Sequence, residues 1–159
     1  MFTPIQNRDK SGLTFSALPN TTGITLYNGT GAAIVKGDVM VISYSTDADE
    51  IAAGKYMQCK AAATNAILIE RVVIALEAIP IAKMGFFAVE GFVEECNCLN
   101  SAAFTAGQSL KCVTAKDYLI LDHATPTNKQ AAIAMEAYAG TTSVELVKAV
   151  WLLSKPHAI

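Results

Sequence analysis

A five-residue pattern occurs twice in this chain. Ile74-Ala75-Leu76-Glu77-Ala78 returns as Ile133-Ala134-Met135-Glu136-Ala137, 59 positions later. Each copy is followed by a short turn and an apolar run. The first run is Phe86-Phe87-Ala88-Val89-Glu90-Gly91-Phe92-Val93; the second is Val144-Glu145-Leu146-Val147-Lys148-Ala149-Val150-Trp151, at an offset of 58. A single-residue slip in the turn reconciles the two offsets. A glycine-led strand precedes each copy, at Gly37 and at Gly107. Chance similarity of Ala-rich apolar strands is the bland explanation; two aligned segments at nearly one offset favour duplication, and two related β units sharing a sheet or barrel would fit. The expectation is a mainly β protein: a compact β-sandwich or barrel-like body over residues 23–159, built from two related β units at about 34–95 and 104–153.

Local patterning agrees. Ile24-Thr25-Leu26-Tyr27 alternates and stops at Asn28-Gly29, a strong turn pair. Lys36-Gly37-Asp38 opens the β-branched run Val39–Tyr44. Ser45–Gly54 is polar and acidic and reads as a loop, with a strand following over Lys55–Ala61. Between Ala61 and Ile79 helix and strand preferences compete; the spacing predicts a loop or helical turn near Thr64–Ile67 and a strand over Arg71–Ala78. Phe86–Glu94 suits a strand buried on both faces. Further strands are predicted over Gln108–Val113, Asp117–Asp122, Ala131–Tyr138 and Ser143–Leu153. In Asp117–Asp122, Tyr118, Ile120 and Asp122 share one face, and Leu119 and Leu121 the other.

Residues 1–22 differ from the rest. Phe2, Ile5, Leu13, Phe15 and Leu18 are spaced among polar residues, and Pro4, Gly12 and Pro19 discourage a helix. This reads as an extended N-terminal arm. It is either a terminus without packing of its own or a strap that orders against a neighbouring subunit.

Composition narrows the function. Apolar residues make up 52% of the 159 and charged residues 16%, against about 25% charged in an ordinary domain. Mean hydropathy is +0.35. The excess is not a membrane span: Val72–Ala82 and Val144–Leu153 are about half the length a spanning helix needs and carry Glu77, Glu145 and Lys148. Met1–Lys10 lacks the apolar stretch of a secretory signal. The excess apolar surface therefore points to protein partners. With net charge −2 and only Arg8 and Arg71 as arginines, no basic patch suits nucleic acid.

No catalytic constellation emerges. There is no G-x-S-x-G, no H-E-x-x-H and no P-loop; Gly29-Thr30-Gly31-Ala32-Ala33 reads as a β-turn. Glu94 and Glu95 point to opposite faces of a strand. Glu77 and Glu136 occupy equivalent repeat positions, where exposed strand sites explain them more simply than a two-fold acid/base pair. Asp47, Asp49 and Glu50 lack the glycine and terminal glutamate of a calcium loop. Asp122 beside His123 has no nucleophile assignable to it. Cys96 and Cys98 share a strand face and could grip a metal together, but reduced structural thiols, along with Cys59 and Cys112, are the simpler reading. Neither a cofactor nor a metal is expected.

The order Leu26-Tyr27-Asn28-Gly29-Thr30-Gly31, then Ile34-Val35-Lys36-Gly37-Asp38-Val39, the two Ile-Ala-x-Glu-Ala copies, Gly85–Val93 and Ala106-Gly107-Gln108-Ser109-Leu110 together resemble the capsid decoration, or cement, proteins of tailed bacteriophages over residues 23–153. The segment Ser45–Ile69 and the arm depart from that pattern. The resemblance implies a structural protein made in the host cytoplasm and assembled, often as a homotrimer, on the outer surface of the virion. There it bridges neighbouring major capsid subunits. The arm, read from its own residues, could order over adjacent subunits on binding, with Phe2, Ile5, Leu13, Phe15 and Leu18 as the expected contacts to capsid or subunit. It implies no enzyme activity, nucleic-acid partner or membrane partner. The competing readings are another virion component, such as a tail or fibre part, and a small β-barrel that binds a ligand or metal.

Overall fold

The computed structural model describes residues 13–15, 21–61, 71–99, 103–113, 115–121, 130–139 and 146–157. They form ten strands and one short helix: β1 (Leu13–Phe15), β2 (Thr21–Asn28), β3 (Val39–Tyr44), α1 (Ala48–Ala52), β4 (Met57–Lys60), β5 (Val72–Ala75), β6 (Met84–Cys98), β7 (Ser109–Cys112), β8 (Leu119–Leu121), β9 (Gln130–Ala134) and β10 (Leu146–His157). The protein is mainly β, as its alternation and turn chemistry predict.

Five strands close into a barrel in the order β2-β4-β3-β5-β6, with β6 returning to β2. The closing joint between β2 and β4 is parallel and pairs Tyr27 with Gln58 and Asn28 with Cys59. The other four joints are antiparallel. The second half repeats this plan. β7 pairs with β8 and β9, β9 pairs with β10, and β10 returns to the far half of β6, all antiparallel. Its parallel joint, β6 with β8, is a single pair, Cys98 with Leu119, extended by the bond from Leu99 N to Leu119 O at 3.0 Å. The two units share β6, which serves the first along its near half and the second along its far half.

The switch falls at Gly91, which pairs with Thr21 of β2 and with Leu152 of β10. Its φ of +98° is a left-handed conformation open to glycine and strained for other residues. Here β6 bends from one ring into the next.

The two units also make matching backbone contacts. Gly37 N donates to Ala75 O at 2.9 Å, and Gly107 N to Ala134 O at 2.8 Å. Ile34 and Ile79 bridge each other, as do Phe104 and Tyr138. One alignment made from sequence needs correction. Ala75 lies opposite Phe87 and Ala134 opposite Val150, so the last strands are 63 positions apart rather than 58. The counterpart of Phe86 in the second unit is Ala149, not Val144. Apolar runs of common residues match at several registers, and only the ladder selects one.

Two other expectations change. The acidic stretch after β3 is not all loop: Asp47 caps α1, its carboxylate accepting from Asp49 N at 2.9 Å and Glu50 N at 3.1 Å. The strands predicted over Arg71–Ala78 and Ala131–Tyr138 end early, at Ala75 and Ala134, because the repeated motif bends immediately afterwards. The helical turn predicted near Thr64–Ile67 lies outside the described residues.

Two apolar clusters fill the body. The interior of the first barrel holds Leu26, Ile34, Met40, Ile42, Cys59, Val73, Ala75, Ile79, Phe87 and Val89. The second cluster joins the interior of the second unit (Cys96, Cys98, Phe104, Leu110, Leu119, Tyr138, Val150 and Leu152 among others) to the outer wall of the first, through Val39, Val41, Val72, Ile74 and Ala88. The alternation of β3 thus serves two cores: Met40 and Ile42 face one, Val39 and Val41 the other.

Candidate functional site: interaction surfaces

Several of the reactive groups among the described residues are committed to structure. Glu77 and Glu136 sit in the bends after β5 and β9, not at strand positions. Glu77 Oε1 accepts from Phe86 N at 3.0 Å, and Glu136 Oε1 from Ala149 N at 2.7 Å. The shared glutamate therefore pins each turn to the start of the next strand. It accepts a main-chain bond in each unit, and that is why it recurs.

None of the four cysteines forms a disulfide, and all four are buried. Burial pushes the Cys59 thiol up to about 11 and the Cys112 thiol up to about 12, so both stay protonated and poorly nucleophilic at neutral pH. Cys96 and Cys98 do share a strand face, and that face points into the second core. Among the described residues no three His, Cys, Asp or Glu side chains gather in a metal-binding group. The Asp122-His123 pair lies outside the described residues.

Asn28, at the end of β2, organises the turn that follows. Its Nδ2 donates to Ala32 O at 2.7 Å, to Pro80 O at 3.2 Å and to Ile79 O at 3.3 Å, while Oδ1 accepts from Thr30 N at 3.1 Å. One buried amide thus ties the β2–β3 loop to the β5–β6 turn, an Asx-turn function. On these two tethered segments Val35 and Ile81 stand exposed, and so does Met84 at the start of β6.

The Lys36-Gly37-Asp38 turn is a junction between units. Asp38 is only 5% exposed. Its carboxylate accepts from Val35 N at 2.7 Å and from Asn97 Nδ2 at 2.9 Å. Burial raises its carboxyl above the usual range, opposed by the Val35 bond and reinforced by the charge of Asp117. Asn97 N donates to Gly37 O at 2.9 Å, Val39 N donates to Asp117 O at 2.8 Å, and Lys36 pairs with Glu95 at 2.9 Å. A Cβ at Gly37, whose φ is +93°, would press on the Asn97 side chain.

A second exposed apolar group, Tyr44, Ile51 and Tyr56, lies on the β3–β4 connection, with the two tyrosine rings stacked at 6.4 Å. Of the arm residues, Leu13 and Phe15 belong to β1, which lies antiparallel on β2 with Leu13 opposite Ile24. That stretch is an edge strand of its own body. Phe2, Ile5 and Leu18 lie outside the described residues. The surface groups around Met84 and Tyr44 escaped the sequence reading because, within strands and turns, exposed and buried apolar residues look alike.

Among the described residues no helix is long and apolar enough to cross a membrane. No family model, no curated protein and no solved structure matches the chain.

Proposed function

We propose that this chain is a structural virion protein that binds the outer surface of a phage capsid and cements neighbouring major capsid subunits, without catalysis. The observation that carries the reading is the division of labour within the molecule. Among the described residues, the carboxylates of Asp38, Asp47, Glu77 and Glu136 hold turns and a helix cap and the thiols lie in the cores, while large apolar side chains (Val35, Ile81 and Met84; Tyr44, Ile51 and Tyr56) stand exposed on a body built round a closed β-barrel. Such a surface suits protein docking better than small-molecule chemistry. The resemblance over residues 23–153 supplies the class of partner. The arm, anchored on β2 through Leu13–Phe15, supplies a second footprint, and two weak footprints on one body add through effective concentration.

The test is co-sedimentation of the purified chain with shells of its major capsid protein. The full chain should bind, and deletion of residues 1–20 should weaken binding at least tenfold while the far-ultraviolet spectrum of the body persists. Equal binding by the truncated chain would remove the arm from the account. No binding by the full chain would remove the function.

A further inference from the structure

Asn28-Gly29 is the chain's single Asn-Gly pair. Such a pair is the asparagine sequence most open to self-modification, because glycine puts no side chain in the way of its own backbone nitrogen. The Gly29 nitrogen attacks the Asn28 side-chain carbonyl carbon, Cγ, and gives up its proton. The Cγ–Nδ2 bond breaks and ammonia leaves, closing a five-membered succinimide. Water then opens the ring, to aspartate or to isoaspartate. The balance is one water consumed and one ammonia released, with no change of oxidation state.

The closed joint between β2 and β4 engages both reacting groups. Asn28 is 2% exposed. Its Nδ2, the leaving group, donates to the carbonyls of Ala32, Ile79 and Pro80, and its Oδ1 accepts from Thr30 N and from Thr30 Oγ1, the latter at 2.7 Å. The Gly29 N–H, the attacking nitrogen, is bonded to the sulfur of Cys59, the residue that pairs with Asn28 across the joint. Bringing Cγ onto that nitrogen takes the amide away from all these partners, so the reaction needs the joint to open. The packing also calls for this dipeptide. A Cβ at position 29 would collide with Gln58 Oε1, and Gln58 is itself buried and held by Glu50 at 2.6 Å.

We infer that Asn28 is a self-modification site that works as a one-way latch: its amide is unreactive while the β2–β4 joint is shut, converts to aspartate or isoaspartate when the joint opens, and then prevents the joint from closing again. A carboxylate has acceptors only, so it leaves the Ala32, Ile79 and Pro80 carbonyls without a donor in a buried site. Isoaspartate also adds one carbon to the main chain where β2 pairs with β4. The second unit lacks the device, since Cys98 and Leu99 stand at the equivalent positions. This inference stands independently of the capsid reading.

The experiment follows the full chain in mildly alkaline buffer by peptide mapping and by the mass gain of about one dalton that conversion brings, beside a synthetic peptide of residues 24–33. Conversion at Asn28 in the folded chain should run at least about a hundredfold slower than in the peptide, because the joint is rarely open. At the urea midpoint it should come within about a factor of two of the peptide, since half the molecules are then open. Thr30→Ala removes one partner of Oδ1 at a half-buried loop position and should speed conversion several-fold in the folded chain. Chains aged in urea and refolded can be separated by the extra negative charge, and the converted fraction should melt well below the unconverted one. A folded chain that converts at the peptide's rate would overturn the inference. So would converted molecules that melt with the unconverted ones, or a folded Thr30→Ala chain that converts no faster than its parent. Should Thr30→Ala fail to fold, the urea dependence of the parent chain decides: a rate that does not rise as the chain unfolds overturns the inference.

Discussion

The first and second units share a hydrogen-bond plan and differ in how they are filled and joined. Where the first barrel carries Leu26, Val73 and Phe87, the second carries Cys96, Ala132 and Val150. Where Asn28 knits the first closing joint, the equivalent position is Cys98, and the joint is a single pair. Where Asp38 is buried at the junction, Gln108 is exposed, yet both side chains accept from the backbone three residues earlier, at 2.7 Å and 2.8 Å. The backbone recipe tolerates a wide choice of fillings. Position in the series, not local structure, decides which turn is buried.

The comparison can be broken most forcefully in the cores. Phe87→Ala should cost about 3–5 kcal/mol and its counterpart Val150→Ala about 2 kcal/mol, read by urea unfolding. Equal losses would mean that the smaller side chains of the second unit pack just as much. Next is Asn28→Cys, which copies the second unit's closing residue into the first. It strips Ala32, Ile79 and Pro80 carbonyls and Thr30 N of a partner and should cost about 2–3 kcal/mol. A loss below about 0.5 kcal/mol would show that the amide network is incidental.

The junction is sharpened by pH. The Asp38 carboxyl is raised in the folded chain, so the folded state holds its proton more tightly than the unfolded one. Stability from this group is therefore greatest below the ordinary aspartate range and falls as pH rises toward the raised folded value. Asp38→Asn should abolish that part of the pH dependence, while Gln108→Ala in the second unit should leave it unchanged. The smallest effect belongs to Lys36 and Glu95, whose side chains are nearly half exposed: Glu95→Gln should cost under about 1 kcal/mol and less at high salt.

Much of this architecture was legible beforehand. The repeated Ile-Ala-x-Glu-Ala motif marked the two units, and Val39–Tyr44 matched β3 to the residue, because β-branched alternation bounded by Gly37 and Ser45 admits little else. Leu119 and Leu121 are buried on either side of half-exposed Ile120, as their alternation requires. The register of β10 was not legible, because Val, Leu and Ala satisfy several alignments. The sharing of β6 was hidden as well: a strand that changes partners at Gly91 looks, in sequence, like one strand containing a glycine. The glutamates were noticed for their recurrence, but their acceptor role depends on a backbone N–H nine residues on in the first unit and thirteen on in the second.

The most direct measurement is the copy number of this chain in purified particles, by quantitative gel against the major capsid protein. The proposed role predicts a ratio near one to one, with the chain spread over the whole shell. A few copies per particle, or none, would contradict it.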